Sequence, residues 1–413
     1  MADALMRPGR DYWAWLGGAV SSELGSTVMA FAIIWTATGL GGTTAGLVAT
    51  SIVFCRAVLL LGGGSLGDRF GPRQVMLVCD TSMLFVTSLA AIWFGVRGPS
   101  AASLVVVGCL LGVASAFYLP AAGVFPRLFV SDDQLARIMA TTSSGLQLAR
   151  IAGPAIGGAL LAWIGLSWLV ALNSVSFLVI VVVVLLVVPP RAARAPDTPQ
   201  VGLRQAWHGL REAGGHRTLV PLMLALAALV AGTAPATMLL FPLLCRGNGW
   251  SSSSAGLMEA AFMTAALAVG LTVAARGALE RAQVPLIGGP LLACAGLALA
   301  AGAPTVWVAC VAAGAVGLGL VVFNAHAVPR ILSASPDGSQ VRIQAVLNLA
   351  VTLPTLALST LYGVVAQHAS ASWALVGAAA WAFAASVLMA VSRAWRTERS
   401  LTASTVLSTG PDA

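Results

Sequence analysis

The sequence predicts an all-α integral membrane protein with twelve transmembrane helices in two halves of six. Three observations support this: 58% of the 413 residues are hydrophobic, only 9% are charged, and the apolar residues form long stretches. About 20 apolar residues suffice to cross the hydrocarbon core of a bilayer. Such stretches lie near residues 13–36, 44–66, 74–95, 101–121, 138–163, 167–188, 218–243, 254–275, 284–302, 304–328, 343–366 and 371–392. The remaining loops are too short to form a folded soluble domain.

A polar segment at residues 189–217 divides these stretches into six on each side. Its prolines and arginines predict a cytoplasmic linker with an extended first half. The expected organisation is an N-terminal six-helix bundle (1–188), the linker (189–217), a C-terminal six-helix bundle (218–392) and a cytoplasmic tail (393–413). A faint repeat agrees with it, since GSLGDR (64–69) follows the second stretch and GALER (277–281) follows the eighth.

The 22 basic residues are all arginine, and their positions predict the topology. With the amino terminus in the cytoplasm, Arg97 and Arg246 fall outside, Arg56 and Arg150 fall within spans, and the others are cytoplasmic. The positive-inside rule therefore puts both termini in the cytoplasm of a cell-membrane protein. Tryptophans near span ends are expected to anchor the helices in the headgroup region. They are Trp13, Trp15, Trp35, Trp93, Trp163, Trp168, Trp250, Trp307 and Trp373.

Several classes of function are excluded or disfavoured by the composition. The net charge of +8 reflects topology, so no nucleic-acid partner is expected. A Walker A loop needs a lysine, and the sequence has none. The six cysteines are scattered without metal-binding spacing, so no metal or cofactor is expected. An integral membrane enzyme is a rival class, but HExxH, paired aspartate-rich and Ser-Lys motifs are missing from the sequence.

The segment GGSLGDRFGPRQV, between the second and third spans, carries a recognisable motif. It resembles the signature G-x-L-A-D-R-x-G-R-[KR] of the major facilitator superfamily, with Gly67 and Pro72 as departures. The matching residues are Gly64, Leu66, Asp68, Arg69, Gly71 and Arg73. The resemblance implies a cytoplasmic latch that holds the two halves together in the outward-facing state. Glycines allow close approach of helix ends, and the charged groups can pair or bind a helix terminus.

A second motif lies in the fifth span, within GLQLARIAGPAIGG (145–158). It resembles the antiporter motif of the same superfamily, which favours export. Its residues are Gly153, Pro154, Gly157 and Gly158. Together with Ala149, the glycines at 153 and 157 form a small-xxx-small row that predicts close helix contact, and the proline is expected to bend the span.

Two further segments, AFYLPAAGVFPRLFVSDDQLAR (116–137) and ALNSVSFL (171–178), resemble the branch that includes drug antiporters, macrolide efflux proteins and siderophore exporters. The arginine that many drug exporters carry in span four is missing from this sequence. The resemblance implies a central substrate cavity bordered by spans one, four, seven and ten. The candidate lining residues are Phe31, Phe117, Tyr118, Met223, Met238, Phe241, Phe323 and Asn324.

Ionisable residues inside the spans are costly and usually serve a function there. Glu23 and Arg56 lie near mid-depth of the first two spans and could form an ion pair; alternatively, Glu23 changes its surroundings and carries a proton. Arg150 could bind an anionic group or neutralise Glu23. Asp80 could pair with Arg73 or another loop arginine, or could take part in coupling.

Glu259, near the outer end of span eight, could accept a proton or a cationic substrate. The sequence thus predicts a secondary transporter, a proton-coupled exporter of a drug or small natural product that works by alternating access. The alternatives are a siderophore exporter of the same branch or an importer of a small metabolite. Its expected partners are a small-molecule substrate, protons and the lipid bilayer, and it is expected to be a monomer.

Overall fold

The computed structural model describes residues 9–130, 132–187, 219–277, 279, 283–335 and 340–392. The described residues are helical, with no β-strand among them, and eleven helices are long and apolar enough to cross a membrane. They are α1 (Arg10–Thr38), α2 (Gly42–Phe70), α3 (Pro72–Arg97), α4 (Ala101–Val124), α5 (Asp132–Leu186), α6 (Leu219–Gly247), α7 (Ser252–Arg276), α8 (Val284–Ala301), α9 (Val306–Ser333), α10 (Gln340–His368) and α11 (Ala371–Ser392). The expectation of an all-α membrane protein is confirmed.

Two helices contain irregular turns that bear on the site. Helix α5 has 55 residues and is interrupted at Gly165, whose backbone angles (φ 75°, ψ 173°) are outside the helical region. Glycine is the residue that adopts a positive φ without steric cost. Helix α6 contains a π-helical turn at Ala236–Leu240, just after Pro235. Proline removes a backbone donor, and π-turns are frequent at functional sites.

The GGSLGDRFGPRQV motif lies mostly on a helix, which differs from the expected loop. Helix α2 continues to Phe70, and Gly71 alone (φ 79°, ψ 151°) joins it to Pro72 at the start of α3. A glycine followed by proline allows this abrupt turn because glycine tolerates positive φ and proline suits the first helical position. The side chains of Leu66, Asp68 and Arg69 and the surroundings of Gly64 lie outside what the structure describes.

The chain divides into two compact units. One comprises Met1–Gly202, Met238–Ala260 and Ser359–Ala371, and the other comprises Leu203–Thr237, Ala261–Leu358 and Ser372–Ala413. The first unit therefore takes short segments from the later part of the sequence. The predicted linker (189–217) and tail (393–413) lie outside the described residues.

Within the first unit, the start of α2 packs closely against the end of α10. A Cβ at Gly46 would lie 2.9 Å from the carbonyl oxygen of Ser359, and one at Gly42 would lie 2.5 Å from that of Gly363. One turn further along, the hydroxyl oxygens of Thr50 and Thr360 are 2.8 Å apart. Small residues allow helix backbones to approach this closely in a membrane.

Arg246, at the end of α6, holds the end of α1 in the same unit. Its Nε donates to Thr38 Oγ1 (2.9 Å) and its Nη2 to the carbonyl oxygen of Trp35 (3.1 Å). The guanidinium also lies over the Trp35 ring, 4.6 Å from the centroid. A cation at a helix carboxyl end satisfies carbonyl groups that lack partners within the helix.

The second unit is held by equally close contacts. A Cβ at Gly289 of α8 would lie 2.8 Å from the carbonyl oxygen of Gly319 on α9. His326 is buried on α9, where its Nε2 accepts a hydrogen bond from the backbone N–H of Leu279 (2.8 Å). This bond ties α9 to the segment that follows α7.

The tryptophans differ in the exposure of their side chains. Trp163 and Trp307 expose 89% and 73% of their surface, in keeping with contact to lipid or headgroups. Trp15 is 1% exposed and packs against Phe125, with ring centroids 5.3 Å apart. The expectation that Trp15 anchors the protein at the membrane surface is therefore wrong, because its ring belongs to the core between α1 and the turn that follows α4.

Candidate transport cavity

A cavity of about 530 Å³ lies inside the first unit and is lined by residues of α1 to α6. Four of the five ionisable residues singled out in the sequence line it: Glu23, Arg56, Asp80 and Arg150. These four residues come from four different helices, α1, α2, α3 and α5, so only the tertiary structure brings them together. The cavity volume is in the range of small-molecule sites.

Glu23 forms an ion pair with Arg150. Arg150 Nε lies 2.6 Å from Glu23 Oε1, and the side chains are 42% and 21% exposed respectively. The alternative in which Glu23 pairs with Arg56 is therefore wrong, and the one in which Arg150 neutralises Glu23 holds. Helix α5 decides the choice, because it lies directly against α1 and presents Arg150 at the level of Glu23.

The α1–α5 contact extends along the helices at intervals of about one turn. A Cβ at Gly153 would collide with the Thr27 side chain, and one at Gly157 would lie 3.0 Å from the carbonyl oxygen of Val28. The hydroxyl of Thr27 also donates to the carbonyl of Ala149 at 3.4 Å. The predicted small-residue row is thus a real packing surface, and it sets the position of Arg150 beside Glu23.

The other two residues of this motif face α7. A Cβ at Gly158 would collide with the carbonyl oxygen of Ser252, and the carbonyl of Pro154 lies where a Cβ at Gly256 would be. Ser252 Oγ donates to the carbonyl oxygen of Gly158 at 2.7 Å. The glycine motif of α5 therefore packs against α1 on one face and against the beginning of α7 on the other.

Arg56 lines the cavity with an exposed side chain. Among the described residues, no hydrogen bond or ion pair involves Arg56, although a guanidinium offers five N–H donors. Its charge lies near enough to that of Arg150 for the two to repel. The cavity thus contains a cation that the described protein groups leave without a counter-ion.

Asp80 is 2% exposed, and its Oδ2 has no hydrogen-bond partner among the described residues. The alternative of a pair with Arg73 is wrong. Arg73 Nε and Nη2 donate to the carbonyl of Val184 (3.2 and 3.1 Å), and Nη2 also donates to that of Leu185 (3.0 Å). Arg73 therefore caps the carboxyl end of α5, where the helix dipole favours a cation.

We expect Asp80→Asn to stabilise the purified protein. A carboxyl group buried without a partner must give up its charge on folding, which costs free energy at neutral pH, whereas an amide is neutral in both states, so the gain should be about 1 kcal/mol. A thermal unfolding curve in detergent measures the change. Asp11→Asn, at an exposed position in the first turn of α1, is the matched control. A lower unfolding midpoint for Asp80→Asn than for wild type would contradict the expectation.

Only some of the predicted cavity residues lie at the cavity. Tyr118 and Met238 line it, Met238 through the π-turn of α6. The lining formed by the described residues does not include Phe31, Phe117, Met223, Phe241, Phe323, Asn324 or Glu259. Phe31, Met223, Phe241 and Phe323 are packed in the core of their units. Two of the eight candidate residues thus line the cavity of the first unit, and the other six lie away from it.

Sequence reasoning missed a polar stripe on α1 formed by Ser22, Ser26 and Thr27, which line the cavity together with Glu23. The signal was present, since Ser22 and Ser26, and Glu23 and Thr27, are spaced four residues apart in an apolar span. Ser115 on α4 and Phe177 on α5 also line the cavity. Their sequence surroundings carry no comparable pattern.

Comparison with known families identifies the class of protein. The sequence matches the Major Facilitator Superfamily over residues 15–357. The chain belongs to this superfamily. It is a member, with several candidate spans, of a family of membrane transporters, and the resemblance inferred from the motifs is confirmed.

Relatives of this transporter include export proteins. A multidrug efflux pump of Mycolicibacterium smegmatis is 32% identical over 157 residues, which cover 36% of this chain and 30% of that protein. The tetracenomycin C resistance and export protein of Streptomyces glaucescens is 33% identical over 141 residues, 34% of this chain and 25% of that protein. This chain spans only about a third or less of each of these relatives.

Solved structures match over nearly the whole transporter. A bacterial homologue of the iron transporter ferroportin, in an inward-facing state, aligns with a TM-score of 0.75 at 16% identity and covers 94% of this chain and 99% of the homologue. A nucleoside transporter aligns with a TM-score of 0.71 at 13% identity, covering 91% and 99%. At such identities the likeness establishes the fold alone.

Proposed function

We propose that this transporter exports a drug or small natural product across the cell membrane in exchange for protons, by alternating access. The observation that carries the proposal is the cavity of the first unit, in which the Glu23–Arg150 ion pair and the buried Asp80 border a space of about 530 Å³. The multidrug and tetracenomycin exporters among the relatives support export as the direction.

The proposed arrangement has twelve spans in two halves of six, with both termini in the cytoplasm. Helix α5, at 55 residues, would be about 80 Å long at 1.5 Å per residue, more than twice the thickness of the hydrocarbon core. Its interruption at Gly165 supports two consecutive spans that turn back at this glycine. With α5 counted as two, the eleven helices become twelve, and 189–217 becomes the linker between the halves.

In this topology, the close contacts of α2 with α10 and of α5 with α7 lie at the outer side of the membrane. We name them the outer seal, formed by Gly42, Gly46, Gly158, Ser252 and Gly363. An outer seal that is closed around the cavity corresponds to the cytoplasm-open stage of the cycle. The inward-facing state of the ferroportin homologue supports this assignment.

Proton coupling would act through the Glu23–Arg150 pair. With the pair closed, the carboxylate is ionised and stabilised by a charge-assisted hydrogen bond of 2.6 Å. When a proton binds Glu23, the attraction is lost and Arg150 becomes available to other groups in the cavity. Such a pair links a proton to the state of the cavity, as coupling requires. A proton moving down 100 mV releases about 2.3 kcal/mol, which sustains a roughly fifty-fold gradient of substrate.

The test is drug accumulation in a bacterial host that lacks its own efflux pumps. Cells that express the transporter should accumulate less of at least one compound from a panel of macrolides, other antibiotics and siderophores. An uncoupler that collapses the proton gradient should abolish this difference, because the export step draws its energy from protons. Cells that express Glu23→Gln provide the matched control for expression in the membrane.

Two results would contradict the proposal. If no compound accumulates less, export of this class of compound is wrong. If the lowered accumulation survives the uncoupler, proton coupling is wrong.

A further inference from the structure

We infer that the cavity binds an anionic group of its cargo between Arg56 and Arg150, so the cargo carries a carboxylate, sulfonate or phosphate on an apolar body. The inference rests on the proposed function in one respect, that this cavity is where the cargo binds. It goes further by naming the chemical class of the cargo.

The charge balance of the cavity is the first argument. Two guanidinium groups, Arg56 and Arg150, line it close enough to repel each other. Glu23 is the one acid that pairs with either of them among the described residues, and it binds Arg150 through a single Nε–Oε1 contact. One carboxylate cannot balance two guanidinium groups, so the cavity carries excess positive charge near Arg56.

Asp80 does not supply the missing charge. It is 2% exposed, its Oδ2 is without a partner, and no ion pair joins it to Arg56 in the described part of the chain. A guanidinium without a protein counter-ion offers its N–H donors to an anion that can reach it. Since Arg56 is exposed to the cavity rather than to the protein core, a ligand in the cavity is the group that can complete its coordination.

The geometry of the donors favours an oxyanion. A guanidinium presents parallel N–H groups that match the two oxygens of a carboxylate, sulfonate or phosphate. Arg150 uses Nε for Glu23, which leaves its Nη groups available to the same ligand. A cationic ligand at this place would meet two guanidinium groups and would have to displace Arg150 to reach Glu23.

The rest of the lining defines the body of the ligand. Apolar side chains occupy the walls around the charged residues, namely Ile52, Met83, Leu111, Leu119, Phe177 and Met238. A cavity with apolar walls and a few charged groups binds the body by burial and orients the ligand through the charges. The cargo is therefore an amphiphilic anion rather than a small inorganic one.

The experiment compares three probes that share one aromatic body: 2-naphthalenesulfonate, 2-naphthalenesulfonamide and 2-naphthylmethylammonium. Isothermal titration calorimetry measures their binding to the full chain in nanodiscs of uncharged lipid, with empty nanodiscs as the blank. The wild type should bind the sulfonate about tenfold more tightly than the sulfonamide, since a hydrogen bond between charged groups is worth about that factor. The ammonium should bind most weakly.

Variants then assign the preference to Arg56. Arg56→Gln should bind the sulfonate and the sulfonamide equally. Arg56→Lys should keep part of the preference for the sulfonate, because it keeps the positive charge but lacks the parallel N–H donors of a guanidinium. Arg97→Gln is the matched control, because Arg97 lies at the end of α3 and does not line the cavity. Thermal unfolding of each variant shows whether it is folded.

Equal binding of the three probes by wild type, or tighter binding of the ammonium, would overturn the inference whether or not any variant folds. Retention of the full preference by folded Arg56→Gln would also overturn it. A transporter that shows the preference but lowers the accumulation of no drug would contradict the proposed export and leave the anion site intact. The two failures are therefore distinguishable.

Discussion

A disulfide between Thr50→Cys and Thr360→Cys should stop transport, down to the level seen with an uncoupler, and a reductant should restore it. The two hydroxyl oxygens are 2.8 Å apart between α2 and α10, so cysteines at these positions bring two thiols close together. Alternating access requires the outer seal to open in each cycle. A covalent bond across it would hold the seal closed and leave cargo exposed to one side only.

The measurement uses a background in which the six native cysteines are replaced, and follows uptake into inverted membrane vesicles before and after mild oxidation. Gel mobility after proteolytic cleavage between the two positions gives the extent of cross-linking. The single variants Thr50→Cys and Thr360→Cys, treated identically, are the controls. Undiminished transport by fully cross-linked protein would show that these helices do not separate during the cycle.

Glu23→Gln should abolish concentrative transport, with the roughly fifty-fold gradient at 100 mV collapsing to equal concentrations. Glutamine has nearly the shape of glutamate but neither carries the charge that pairs with Arg150 nor takes up a proton. Exchange of labelled for unlabelled cargo across the membrane should continue, because it needs no proton. Proteoliposomes with an imposed proton gradient measure both activities on the same protein.

Glu259→Gln provides the comparison, since Glu259 is a carboxylate within α7 that does not line the cavity. It should retain the gradient. If Glu23→Gln still concentrates its cargo, coupling does not pass through the Glu23–Arg150 pair. Loss of the gradient in Glu259→Gln alone would move the coupling site to α7.

The fold was largely predictable because a membrane span must be long, apolar and helical. Without water, every backbone polar group has to be satisfied within the helix, so the apolar stretches near residues 13–36 and 371–392 correspond to α1 and α11. The row of small residues on α5 was equally predictable from the sequence, since residues spaced four apart lie on one face of a helix. The end of α2 was less predictable, because the segment between the second and third spans was expected to be a loop, whereas α2 continues to Phe70.

The candidate site was predictable in its chemistry but not in its pairing. An ionisable residue within a span is costly enough to be noticed in the sequence, and Glu23, Arg56, Asp80 and Arg150 all line the cavity. Which cation meets Glu23 depends on whether α2 or α5 presents an arginine at its level. Most of the residues chosen by span membership lie away from this cavity, because successive residues are rotated by about 100° about the helix axis and most positions face the core or the lipid.

The sequence alone thus determined the membrane class, the superfamily motifs and the charged residues of the cavity, because length, hydrophobicity and local spacing are properties of single segments. Only the tertiary structure decided that Glu23 pairs with Arg150, that Asp80 is buried without a partner for Oδ2, and that Arg56 remains open to the cavity. These are contacts between helices far apart in the chain. They depend on the close approach of small residues such as Gly153 and Gly157 to α1. This packing brings α5 near enough to α1 for their side chains to form hydrogen bonds.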